Sequence, residues 1–97
     1  MRYRLHPEAE NDLRDAAEFY RERAGKTLSK SFLAEYERGV QPLLEHPVFG
    51  GLWQNNKRRY LMKRFPYSLV YTIVADEIRI WAVAHQNRLP GYWRNRK

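Results

Sequence analysis

From Ala9 to Leu43 apolar residues recur every three or four positions; beyond Gly51 that period gives way to dense β-branched and aromatic runs. The switch calls for two kinds of element in one short chain. Ala9, Leu13, Ala16, Ala17 and Tyr20 make one helical stripe. Pro7 suits the first turn of that helix, where its missing N–H costs nothing. Glu8, Glu10 and Asp12 put negative charge where the helix dipole favours it. Gly25 is expected to end the helix in a left-handed cap. A second helix starts near Thr27 and carries Leu28, Phe32, Tyr36, Val40 and Leu43 at helical spacing. Pro42 predicts a kink or an early end there. Two amphipathic helices joined by so short a connection form an antiparallel hairpin with one apolar side to bury.

The other segments read as strands. Arg2 to His6 alternates and is closed by Pro7. "EHPVFGG" reads as a loop, since Pro47 pushes His46 out of helical geometry and Gly50-Gly51 breaks the chain again. "KRRYLMKRF" follows, then "YSLVYTIV" after Pro66, then "EIRIWAVA" after a tight turn at Asp76. With such short connections, neighbouring strands pair antiparallel. The predicted fold is α+β with element order β-α-α-β-β-β: a helical hairpin packed on one face of a small, mainly antiparallel sheet. Residues 1–97 leave no room for a second core, so one domain is expected.

Charge is unevenly placed along the chain. Residues 1–56 hold eight Lys/Arg and nine Asp/Glu, whereas residues 57–97 hold ten Lys/Arg and two Asp/Glu, for a net +7. A basic second half points to an acidic partner, nucleic acid or protein. The chain has no cysteine, so it has no disulfide framework and no thiolate metal site. That composition suits a reducing cytoplasm. The N-terminus lacks the apolar core of a signal peptide, and no apolar run approaches the ~18 residues of a membrane helix. His6, His46 and His85 are far apart and lack paired carboxylates, so no metal site is expected. There is no Gly-rich phosphate loop and no helix-turn-helix or zinc-finger pattern.

Four segments together carry a family resemblance: the opening "HPEAENDLRDAAEFY", the loop "EHPVFGG", the strand pair "RRYLMKRFPYSLVYTI" and the ending "IWAVAHQNRLPGYW". In order and spacing they resemble the RelE/ParE superfamily of bacterial type II toxins, in its ParE-like, plasmid-stabilisation form. The similarity runs over nearly the whole chain. It implies a growth-inhibiting cytoplasmic toxin without a cofactor, held inactive by a cognate antitoxin in a hetero-oligomer. RelE-like members cut messenger RNA in the ribosomal A site. ParE-like members inhibit DNA gyrase and cut nothing. The fold does not choose between these; site residues must.

Metal-free RNA cleavage needs a base for the 2′-hydroxyl, cations for the developing phosphorane charge and an acid for the leaving oxygen. The RNases of the superfamily often meet these needs with arginines on the third and fourth strands and a tyrosine near the C-terminus. Here the corresponding positions read Ser68 and Gln86, and neither replaces a guanidinium. Tyr92 matches the tyrosine by position, Arg88 lies two residues beyond Gln86, and His85 has the intrinsic chemistry for proton transfer. His85, Arg88 and Tyr92 are therefore the catalytic set if the chain is an RNase. Lys57, Arg58, Arg59, Lys63 and Arg64 could hold phosphates, or face an acidic antitoxin.

The absent arginine pair favours gyrase inhibition by binding. The alternatives are ribosome-dependent mRNA cleavage and a non-toxic co-regulator that only binds the antitoxin. For target binding the sequence nominates Arg59, Lys63, Arg64, Arg88, Tyr92, Trp93, Arg94 and Arg96. Pro90-Gly91 is expected to turn the chain and present Tyr92 and Trp93 among these cations. On that reading, replacing Trp93 and Arg94 by alanine abolishes toxicity and leaves the fold intact. Tyr20, Phe32, Tyr36 and Trp53 would serve an antitoxin groove if they faced outward.

Overall fold

The computed structural model describes residues 1–54 and 56–97. Strand β1 (Arg2–Leu5) leads into α1 (Pro7–Ala24), α2 (Lys26–Glu45), a 3₁₀ turn (Pro47–Phe49), and strands β2 (Gly51–Leu52), β3 (Arg58–Leu61), β4 (Tyr67–Val74) and β5 (Glu77–His85). The strands form one sheet in the order β1-β5-β4-β3-β2. The pair β1–β5 is parallel and the other pairs are antiparallel. The fold is thus the expected α+β arrangement, with the helical hairpin on one face.

Local rules explain most boundaries. Pro7 opens α1, and the His6 ring Nδ1 accepts a hydrogen bond from the Glu8 N–H at 3.0 Å. Glu8 and Glu10 sit in the first turn and Arg21 and Arg23 in the last, each complementing the dipole. Gly25 separates the helices, but at φ 93°, ψ 175° it is not in the left-handed helical well. It occupies an extended positive-φ region that is essentially closed to other residues. Pro42 does not end α2, which runs on to Glu45. The proline stands in the last turn, so the carbonyl it deprives belongs to Arg38, at an exposed position where water can replace the lost bond. The "EHPVFGG" loop is more ordered than expected. Tyr71 Oη donates to the Pro47 carbonyl at 2.6 Å and accepts from Gly50 N–H at 2.9 Å. Arg58 Nη1 donates to the Gly50 carbonyl at 2.8 Å, and the chain then pairs briefly as β2.

The inner face of the sheet meets the helices. Leu69, Tyr71, Ile78, Ile80 and Val83 pack against Ala9, Ala16, Phe32, Tyr36, Val40 and Leu43, all buried. Tyr20 joins this layer, with ring centroids 5.3 Å from Phe32 and 5.1 Å from Phe65. The helical aromatics Tyr20, Phe32 and Tyr36 are therefore core, not the wall of an outward groove.

Strand β5 breaks its alternation once. The β4–β5 register shifts between Val70 and Tyr71, which pair with Ala82 and Ile80 and leave Trp81 unmatched. Such a bulge puts two successive side chains on one face. Trp81 Nε1 donates to Thr72 Oγ1 at 2.9 Å, and Ala82 packs with Val70 and Ala84 in a second, smaller core on the outer face.

Candidate functional site

The segment after β5 folds back across that outer face. Two turns place Trp93 on Val70, Ala82 and Ala84, with Trp53 beside it at 5.1 Å between ring centroids. Trp93 is only 2% exposed. The Pro90-Gly91 turn does bend the chain, with Gly91 at φ 90°, but it directs Trp93 inward instead of presenting it. Trp93 therefore supports the surface and offers almost no area of its own to a partner. Replacing it together with Arg94 would not leave the fold intact, because an indole at the centre of a small core carries much of that core's burial.

Arg96 is also withdrawn from solvent. Its Nη1 and Nη2 donate to the two Asp12 carboxylate oxygens at 2.6 and 3.1 Å. The two side chains are 10% and 11% exposed. The pair has a structural purpose that follows from strand lengths. β1 covers β5 only as far as Ile80, so the later half of β5 has an open edge. There Arg96 Nη1 donates to the Trp81 carbonyl at 2.9 Å, and the Val83 N–H donates to Asp12 Oδ2 at 3.1 Å. Side chains take over where backbone pairing stops, and the edge is closed to further strands. Tyr92 Oη joins by donating to the same Asp12 oxygen at 3.0 Å. Burial, reinforced by the Asp12 charge, pushes the Tyr92 phenol well above the ordinary tyrosine range.

Asp12 was legible only as a charge near a helix start. Yet it lies three residues after Ala9 and four before Ala16, on the buried stripe of α1. A carboxylate in that register is the signal that could have revealed it. Gln54 was missed too: its Oε1 accepts from Arg94 Nη2 at 2.6 Å and ties the tail to the β2–β3 connection.

The other nominated residues fall into two places. Arg59, His85, Arg88, Ser68 and Gln86 line a cleft of about 300 Å³ between the sheet and the tail, closed at its base by Trp53 and Trp93. Arg59 lies 4.2 Å over the Trp53 ring, and Arg88 4.0 Å over Tyr92. His85 holds its ring edge-on to Tyr67 at 5.0 Å, and its Nδ1 accepts from Asn87 N–H at 3.0 Å. Lys63 lies elsewhere, facing Glu35, Arg38 and Tyr60 in a separate groove beside α2. Arg64 is exposed on the bend between β3 and β4. Arg58 is occupied by the loop carbonyls already described. Lys57 Nζ sits 5.5 Å from the Trp81 ring centroid.

His85, Arg88 and Tyr92 do approach one another, around a smaller hollow of about 140 Å³. That hollow is also lined by Asp12 and Asp15, whose charge opposes a phosphate. The cleft that carries Arg59 lacks the tyrosine, and the hollow that carries the tyrosine holds carboxylates. Ser68 and Gln86 occupy the cationic cleft without adding charge. Among the described residues, no group of three or more His, Asp or Glu side chains is arranged to hold a metal ion. None of the described helices is long and apolar enough to cross a membrane.

The sheet is thus mixed and five-stranded, with the helical hairpin on one face and the basic cleft on the other. Residues 3–90 match the family model of the ParE toxin of type II toxin-antitoxin systems, parDE, and the chain belongs to that family. A solved structure, the chromosomal ParDE TA system from P. aeruginosa, superimposes with a TM-score of 0.79 at 19% identity, over 88% of this chain and 95% of that one. No curated protein matches in sequence. Family membership implies an antitoxin partner.

Proposed function

We propose that this chain inhibits growth by binding DNA gyrase in the cytoplasm, without catalysis, and that a cognate antitoxin neutralises it in a hetero-oligomer. The observation that carries the reading is the chemistry of the outer cleft. Ser68 and Gln86 stand where an RNase of the superfamily would place guanidinium groups, and the Tyr92 hydroxyl is turned away onto Asp12. A cleft with Arg59, His85 and Arg88 but no convergent acid suits binding better than phosphoryl chemistry. Within it Arg88 is exposed and is the residue best placed to touch a target, and Arg94 is exposed on the same tail; Tyr92, Trp93 and Arg96 hold the surface in shape.

The test is pulse labelling of bacteria just after induction, with thymidine and methionine followed in parallel. Early loss of DNA synthesis with translation intact is expected, and Arg88→Ala should weaken it while the protein stays folded. Early loss of translation would replace this reading with mRNA cleavage by His85 and Arg88. Normal growth under both labels would leave a protein that only binds its antitoxin.

A further inference from the structure

The two layers of the molecule differ in charge. Helices α1 and α2 together hold nine Asp/Glu and six Lys/Arg, a net −3, while the strands, loops and tail hold two Asp/Glu and twelve Lys/Arg, a net +10. Much of that excess is on the outer face. Arg4 and Arg79 come from β1 and β5, Lys57 and Arg59 from the β3 side, and Arg88 and Arg94 from the tail. The two acids, Asp76 and Glu77, sit at one corner. Glu77 engages Arg79 at 3.0 Å and Arg4 at 3.8 Å, and Asp76 engages Arg2 at 3.7 Å.

The aromatic rings on this face already carry cations or rings. Trp53 has Arg59 over it, Tyr92 has Arg88 at 4.0 Å and Arg96 at 4.9 Å, and Trp81 has Lys57 and His6 each at 5.5 Å. Proteins that grip single strands need free aromatic faces on which bases stack. Here those faces are taken, and the stacked guanidinium and ammonium groups are held in place as fixed positive points. This arrangement suits a regular array of phosphates and does not read bases.

We propose that the outer face of the sheet binds the phosphate backbone of duplex DNA, without sequence preference. The inference deepens the gyrase reading, since gyrase holds duplex DNA while it works and the toxin would then touch both. It is tested without gyrase, so either reading can fail alone.

The experiment is fluorescence anisotropy of the full chain with a labelled 20-base-pair duplex of arbitrary sequence, between 50 and 200 mM KCl. With about four phosphates neutralised, log K should fall against log salt with a slope of about −3.6. Changing the sequence should leave affinity within roughly twofold, since no base edge is read. Lys57→Gln/Arg59→Gln/Arg88→Gln should weaken binding at least ~20-fold at 100 mM salt, as three phosphate contacts are lost. Arg21→Gln/Lys26→Gln/Lys30→Gln removes the same charge from a cluster at the end of the helical hairpin and should change affinity by less than about threefold. A wild-type slope shallower than about −2 would overturn the proposal. Equal losses in the two triple variants would reduce it to bulk charge, and preference for single-stranded RNA over the duplex would refute it. The slope is measured on the unaltered protein, so the test survives a variant that fails to fold.

Discussion

The two faces of the sheet are covered by opposite kinds of material. On the inner face α1 and α2, of 18 and 20 residues, spread burial over many interchangeable apolar contacts. On the outer face a short, turn-rich tail covers the sheet, held by Trp93 and by the Asp12 carboxylate with its three donors. Burial spread over a large apolar layer loses a part when one residue is cut. A cover held by a few anchors loses much of its hold when one goes. The difference also separates tasks. The helical face holds the molecule together, and the thinly held face carries the cationic cleft.

The largest effect should come from the inner face. Phe32→Ala removes a fully buried ring from the helix–sheet contact and should cost about 3–5 kcal/mol. Urea denaturation followed by circular dichroism should show one transition at a lower midpoint. A loss confined to the tail would contradict the division drawn above.

Asp12→Ala attacks the outer face through a residue of α1. It strands a guanidinium that is 10% exposed, along with the Tyr92 hydroxyl and the Val83 N–H. Breaking such a pair costs about 3 kcal/mol. Hydrogen exchange is the sharper measurement: the Val83 amide should lose protection while amides deep in α2 keep most of theirs. Uniform acceleration at both would mean that the two faces unfold as one unit.

Tyr92→Phe should cost the least, about 1.5 kcal/mol at neutral pH for one lost hydrogen bond to a charged acceptor. Its pH dependence separates the faces further. Burial raises the phenols of Tyr20, Tyr36, Tyr67 and Tyr71 on the inner side and Tyr92 on the outer. A raised folded-state value stabilises fully below the ordinary tyrosine pKa of about 10 and is lost as pH rises beyond it, because the unfolded chain ionises first. Stability should hold between pH 7 and 9 and then decline. The phenolate absorbance of these five tyrosines should appear together with unfolding, not before it. Removing Tyr92 should reduce the alkaline slope by at most about 1.4 kcal/mol per pH unit, with the inner tyrosines accounting for the rest. An unchanged slope in Tyr92→Phe would show that this phenol ionises freely in the folded protein.

The sequence by itself determined the elements and their layers. The stripe from Ala9 to Tyr20 and the stripe from Leu28 to Leu43 carry a helical period, and the runs after Arg58 carry β-branched and aromatic composition with short turns between them, so the helices and hairpin strands were legible with their boundaries shifted by a few residues. Those signals are local, and local signals are what a chain displays before it folds. The tertiary structure decided what Asp12, Trp81, Trp93 and Arg96 do. Asp12 bonds Val83, Tyr92 and Arg96 across separations of 71, 80 and 84 residues. The bulge at Trp81 is set by its partner strand, and Trp93 sits in a stretch with no period to say which way it faces. Whether a charged or aromatic side chain ends up as an anchor or as a free surface depends on which edge of the sheet is left unpaired. That edge exists only once a four-residue β1 has docked against a nine-residue β5.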